Sequence, residues 1–173
     1  MKRILLVLVL LGFIMPSFSQ TISGGIKYSQ EDARIELQNN KPRVDFTFLA
    51  SAEDENFDEN LSYILKGVTK LSDRTLARFS DGSYGVNYNN DSEHVYYYDK
   101  GGTLINIEVR TGIVPPYRTY KYEPDGTLVN MTMRVSEEET FIFNPRGKLL
   151  GHWVGKNCYD ENGTIVMTRQ ILK

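Results

Sequence analysis

The sequence predicts a mainly β protein: an antiparallel meander of repeated hairpins forming a curved sheet, with an N-terminal hairpin and one short helix ahead of it. Three observations predict this. A glycine-centred motif recurs four times after residue 95. Apolar and polar residues alternate on either side of each copy, which is the period of a half-buried strand. Only one window, Leu61 to Leu71, carries apolar residues at helical spacing.

Residues 1–19 fall outside that fold. Lys2 and Arg3 begin the chain, Ile4 to Ile14 is apolar apart from Gly12, Pro16 breaks any helix, and Ser17 and Ser19 place small residues before Gln20. Basic, apolar and small residues in this order are those of a secretory signal peptide, cleaved here to leave Gln20 at the new terminus. The leader resembles those of proteins exported by Gram-negative bacteria. Its apolar run is about half of the roughly 20 residues that a membrane-spanning helix requires. The expected location is therefore periplasmic or extracellular, with no membrane span after cleavage and, since no Cys follows the run, no lipid anchor.

Cleavage leaves about 150 residues, enough for one domain with its own core. Residues 20–75 would hold the N-terminal hairpin and the helix, and residues 76–173 the repeats. Without Lys2 and Arg3, the 20 basic residues of the 173-residue chain fall to 18 against 22 acidic ones, a net charge near −4. Nucleic acids and anionic membranes need clustered positive charge, so neither is the expected partner. Cys158 is the single cysteine, which excludes an internal disulfide, and a buried thiol is expected.

Within residues 33–38, Ile35 and Leu37 alternate with polar residues. Asn39-Asn40-Lys41-Pro42 has turn chemistry, and Val44, Phe46 and Phe48 alternate again. This predicts strand 33–38 paired with strand 43–49. The acidic stretch from Ala52 to Asn60 then reads as a loop entering a helix. Leu61, Ile64, Leu65, Val68 and Leu71 extend that helix over residues 57–71, with acidic residues at its start and Lys66 and Lys70 near its end, as the macrodipole favours. Gly67 is the weak point, since an interior glycine costs about 1 kcal/mol relative to alanine.

From residue 76 the chain is strand and turn. Four units align on a glycine: Tyr96-Tyr97-Tyr98-Asp99-Lys100-Gly101-Gly102-Thr103-Leu104, Tyr120-Lys121-Tyr122-Glu123-Pro124-Asp125-Gly126-Thr127-Leu128, Phe141-Ile142-Phe143-Asn144-Pro145-Arg146-Gly147-Lys148-Leu149, and Asn157-Cys158-Tyr159-Asp160-Glu161-Asn162-Gly163-Thr164-Ile165. Aromatics two apart share one face of a strand. Asp, Glu or Asn next can bond its own backbone in a type I turn, and proline presets the φ of the following position. Gly102, Gly126, Gly147 and Gly163 would take the left-handed conformation that closes the turn with a bulge. The return strands would continue the alternation, through Ile105, Ile107 and Val109 in the first unit and Val129, Met131, Met133 and Val135 in the second. Glycine spacings of 24, 21 and 16 imply unequal connections, such as Thr111 to Arg118 with Pro115-Pro116, and so an irregular curved sheet rather than a solenoid or propeller. A fifth stretch, Phe79-Ser80-Asp81-Gly82-Ser83-Tyr84, reads as one residue short of the pattern.

The pattern Tyr-x-Tyr-Asp-x-x-Gly-Thr-Leu resembles the tyrosine-aspartate (YD, Rhs-type) repeat and the aromatic-glycine hairpins of MORN-like proteins, over residues 96–166. In large YD-repeat proteins such hairpins build shells or extended sheets, some implied in carbohydrate binding or toxin enclosure. Four units are too few for a shell. The resemblance implies a fold element and no activity.

Catalytic chemistry has little to draw on. His94 and His152 are the two histidines, no Gly-x-Ser-x-Gly elbow is present, and a Cys158–His152 nucleophile would have to span a connection. Zinc spacings are absent, so no metal or cofactor is expected. The acidic run Asp54 to Glu59 alternates oxygen ligands as calcium prefers, but Glu59 stands where a calcium-binding hand needs glycine, and a solvated loop capping the helix explains the run. Carboxylates for glycoside hydrolysis could come from Glu108, Glu123 or Glu137 to Glu139. The eleven tyrosines say more. Tyr96, Tyr98, Tyr120, Tyr122, Phe141, Phe143 and Tyr159 should share one face and pack across strands. Tyr97, Lys121 and Ile142 fall opposite, and Tyr97 with Tyr88 and Tyr117 could form a partner surface. Asn60, Asn90, Asn130 and Asn162 head Asn-x-Ser/Thr sequons, which carry meaning only in a glycosylating host. The expected function is that of an exported, non-enzymatic protein that binds a protein or a glycan through its sheet. An envelope-polymer hydrolase using carboxylates and a toxin-neutralising immunity protein are the alternatives.

Overall fold

The computed structural model describes residues 28–46 and 52–169. The expected leader and residues 47–49 of the expected second strand lie outside them. Ten strands form one sheet: β1 Arg74–Arg78, β2 Tyr84–Tyr88, β3 His94–Tyr98, β4 Leu104–Arg110, β5 Tyr117–Tyr122, β6 Leu128–Arg134, β7 Glu139–Phe143, β8 Leu149–Val154, β9 Asn157–Tyr159 and β10 Ile165–Thr168. Each pairs antiparallel with its neighbour in sequence, so the sheet is an uninterrupted meander. β1 and β10 do not pair with each other, and the sheet is open.

The predicted aromatic face is the core. Register places Val109, Tyr120, Met131 and Phe143 in one row across β4 to β7, and Leu76, Val86, Tyr96, Ile107 and Tyr122 in another across β1 to β5. Tyr120, Ile107, Met131, Val86 and Phe143 are wholly buried. Removing side chains of this size from water is worth about 1.5–3 kcal/mol each.

Two helices, not one, cover this face. The predicted strand 33–38 lies within α1, Gln30–Asn39. Ser29 and Asp32 form a capping box: the Ser29 hydroxyl accepts from the Asp32 N–H at 3.1 Å, and the Asp32 carboxylate accepts from the Ser29 N–H at 3.1 Å. Ala33 and Leu37, one helical turn apart, are fully buried, whereas Ile35 is 43% exposed. The Ile35–Leu37 alternation that suggests a strand is therefore incidental, and the Asn39–Pro42 turn signal is a helix stop. Residues 41–46 form no strand. α1 lies over β6 and β7, tied to the sheet by Tyr120, whose hydroxyl donates to the Leu37 carbonyl at 3.0 Å.

α2 is Phe57–Leu65, shorter than the predicted 57–71. It ends because Gly67 adopts φ +72° and the N–H groups of Lys66, Gly67 and Val68 fold back onto the carbonyls of Tyr63 and Ile64. The chain beyond runs along β1, where the Leu76 N–H donates to the Thr69 carbonyl at 2.7 Å. One sheet edge is thus covered.

Every repeat hairpin closes as predicted. Gly102, Gly126, Gly147 and Gly163 have φ between +77° and +87°. In three units the first turn residue does the bonding: Asp99, Asn144 and Asp160 each accept from two backbone N–H groups, two and four residues on, at 2.8–2.9 Å. In the Gly126 turn this position is Glu123, and Asp125 takes over by accepting from the Thr127 N–H at 2.8 Å. The fifth stretch closes the same turn, though without the register shift of the other four hairpins. Phe79 occupies the first turn position, Gly82 has φ +90°, and Asp81 substitutes as Asp125 does, accepting from the Ser83 N–H at 3.0 Å.

The return strands depart from simple alternation. A register shift follows the turn in four hairpins, in β4, β6, β8 and β10. Ile105, Val129, Leu150 and Val166 stand at these bulges and are 39%, 36%, 52% and 55% exposed. Ile105 and Val129 therefore do not join the core that Ile107 and Met131 form.

Candidate functional site

The helices sit over different parts of the sheet, α1 on β6 and β7 and α2 on β1. Over β2 to β4 an open cleft of about 650 Å³ remains. Its floor is aromatic. Tyr88 and Tyr96 meet edge to face with centroids 6.2 Å apart, Tyr96 lies 6.1 Å from His94, and His94 meets Phe46 edge on at 6.2 Å. Tyr98 and Leu104 close the inner end. The rim is polar: Glu53, Glu55 and Asn56 on one side, Asn90 and Asp91 on the other.

Short hydrogen bonds fix the far wall. Asp91 accepts from the Tyr96 hydroxyl at 2.9 Å and pairs with His94 Nδ1 at 2.7 Å. Burial and the bond to Asp91 raise the Tyr96 phenol well above its ordinary pKa. The Asn87 amide donates to the His94 carbonyl at 2.7 Å, holding the strand end that carries the ring. Asn56 Nδ2 donates to the Tyr88 hydroxyl at 3.3 Å, which ties one rim to the floor.

The near wall is held by the acidic run. Asp54 is buried and accepts from the Tyr84 hydroxyl at 2.6 Å, from Asn60 Nδ2 at 2.8 Å and from the Asn56 N–H at 2.9 Å. Asn60 in turn accepts from Arg74 Nε at 2.8 Å, and Arg74 also bonds Asp73 and Glu59. The run is a loop entering α2 with Glu55, Asp58 and Glu59 exposed, as expected, but Asp54 departs from that reading: it joins the core, and both of its oxygens are engaged. Asn60, wholly buried and bonded, is no glycan acceptor in the folded protein. Among the described residues no group of three or more His, Cys, Asp and Glu side chains could hold a metal ion.

The other candidates disperse. Tyr88 lines the cleft, but Tyr97 faces away on the opposite side of the sheet, so Tyr88, Tyr97 and Tyr117 form no common surface. The Tyr97 ring covers Gly85, where a Cβ would lie 3.3 Å from Cε1. Its hydroxyl donates to Glu108 at 3.2 Å, and Lys121 Nζ stands 4.8 Å from its centroid. Tyr117 is at the far end of β5, paired with Arg134. Glu108 bonds Arg110 on the outer face, Glu123, Glu137 and Glu138 are exposed in turns, and buried Glu139 bonds His152 Nε2 at 2.9 Å. These carboxylates do not converge. His152 stacks on Phe141 at 4.0 Å, and burial lowers its pKa. Cys158 is opposite Trp153 in register, hence on the other face from His152, and no Cys–His pair exists. The thiol is buried, as expected, and burial raises its pKa.

Sequence reasoning names Tyr88 and His94 but misses the cleft. Its signal is weak, because Phe46, Glu53, Tyr88 and Asp91 come from separate segments. Fold and site define an open ten-stranded hairpin meander, half-covered by two helices, with an aromatic cleft between them. No family model matches this chain, and neither any curated protein nor any solved structure is significantly similar to it. Among the described residues no helix is long and apolar enough to cross a membrane.

Proposed function

We propose that this chain is an exported, non-enzymatic binding protein of the periplasm or extracellular space, and that its ligand is a glycan held in the cleft over β2 to β4. One observation carries the reading: the joined rings of Tyr88, Tyr96 and His94 at the base of an open groove with carboxylates and amides on its rim. Sugar rings combine an apolar face with a periphery of hydroxyls, and such a groove offers a partner to each. The basic-apolar-small leader supports export. The hairpin units support kinship with YD and MORN-like repeats, some of which the resemblance links to carbohydrate. The test is a glycan array probed with the purified protein and with Tyr88→Ala. Binding to a defined glycan that Tyr88→Ala abolishes supports the proposal; no binding, or binding indifferent to Tyr88, refutes it.

A protein partner is the second reading, favoured by the outer side of the repeats. Ile105, Val129, Leu150 and Val166 recur at one place in successive hairpins and stay exposed, and β10 adds exposed Ile165 and Met167 at an edge with no further strand among the described residues. Apolar patches and open edges favour protein contact. Affinity capture from the envelope fraction with Leu150→Lys as control tests it: a stoichiometric protein that the lysine displaces supports this reading.

A further inference from the structure

We infer that the ligand presents an ammonium group to the cleft, so that the glycan would be one carrying free amino sugars; this rests on the glycan reading above. Three carboxylates line the cleft, Glu53, Glu55 and Asp91, and none of its described lining residues is Lys or Arg. Asp91 is already engaged by Tyr96 and His94, whereas Glu53 and Glu55 are exposed and show no ion pair among the described residues. Exposed carboxylates alone would be an ordinary surface. What specifies a cation is the second feature beneath them, the rings of Tyr88 and Tyr96. Aromatic faces attract ammonium groups through their quadrupole, and the attraction is strongest where water is partly excluded. A neutral or N-acetylated sugar could use the rings and give its hydroxyls to the carboxylates, but it would bring no charge to offset theirs. An anionic one would be repelled by them. The whole chain's negative balance acts in the same direction, drawing cationic ligands in at low salt.

The test is calorimetric titration of the purified protein with a glucosamine hexamer, with the N-acetylglucosamine hexamer and with hexalysine, repeated on the Glu53→Gln, Glu55→Gln double variant. Both residues are exposed, so the variant should keep the wild-type melting temperature. The expected result is that the glucosamine hexamer binds at least tenfold more tightly than its acetylated form, and that the double variant or added salt weakens it at least tenfold. Equal binding of both sugars, or binding unchanged in the double variant, would overturn the ammonium inference and leave the glycan reading standing. Binding of hexalysine but of neither sugar would keep the ammonium inference and overturn the glycan reading. If none of the three binds, both fail.

Discussion

Phe57 packs so closely on Gly102 that a Cβ placed there would lie 2.7 Å from its Cδ2 and 3.0 Å from its Cγ. The first residue of α2 thus docks on the turn of the first repeat hairpin. α1 does the same two hairpins later: at Gly147 a Cβ would lie 2.6 Å from Gln38 Nε2 and 3.3 Å from Arg34. Glycines that close turns therefore also seat the helices, and the helices leave the cleft between them. At Gly126 a Cβ would meet nothing within 4 Å.

This contrast separates two costs. Gly126→Ala should lose only the left-handed strain, about 1–2 kcal/mol. Gly102→Ala adds overlap with Phe57, which has ring and Cβ atoms close by and cannot simply rotate away, and overpacking costs about 1–3 kcal/mol more. Urea unfolding of both variants measures the difference. Equal losses would show that Phe57 yields freely.

The turns predict a second pairwise result. Asp125 holds the backbone of its turn and Glu123 does not, so Asp125→Ala should lower the melting temperature and Glu123→Ala should lower it much less. At the Gly102 turn the order reverses. Asp99 accepts both bonds there, and Asp99→Ala carries the loss. Thermal melts of the three variants check the exchange of roles.

Tyr84→Phe should cost about 1–3 kcal/mol, because buried Asp54 loses its shortest donor while the ring volume is kept. Loosening of residues 54–60 should follow, read as faster amide exchange in α2 than in α1.

Alkaline pH should unfold the protein. Burial holds the phenols of Tyr84, Tyr96, Tyr97, Tyr98, Tyr120 and Tyr122 above their ordinary value of 10.0, Tyr120 at about 12. The folded state favours the protonated phenol, so the stability these groups add is complete below pH 10 and is lost as pH climbs toward the folded values. The tyrosinate absorbance of these buried rings should therefore rise well above pH 10 and coincide with the loss of circular dichroism. A single smooth titration near pH 10 would contradict the burial.

Much of the sheet is legible in the sequence, because aromatic alternation and left-handed glycines are local signals. The turns at Gly102, Gly126, Gly147 and Gly163 and the core face of Tyr120 and Phe143 follow from them directly. Errors arise where two periods agree over short stretches. Ile35 and Leu37 fit a strand, yet the Ser29–Asp32 box and the Ala33–Leu37 spacing make a helix. Val68 and Leu71 fit a helix that Gly67 has already ended. The fifth turn is hidden because Phe79 sits where an acidic residue is expected, with Asp81 supplying the bond from another position. Bulges at Ile105 and Val129 leave no local mark, since the exposed residue is as apolar as its buried neighbours. The cleft is least legible, being a space that two docked helices leave open.

Ligand binding in the cleft can be read at its own rings, by following the Tyr88 and Tyr96 signals by NMR while the glucosamine hexamer is added. Saturable shifts are expected at both rings and at His94, with Tyr97 on the opposite face unmoved. Saturable binding that shifts Tyr97 or the β10 residues and leaves Tyr88 and Tyr96 in place would contradict binding in the cleft.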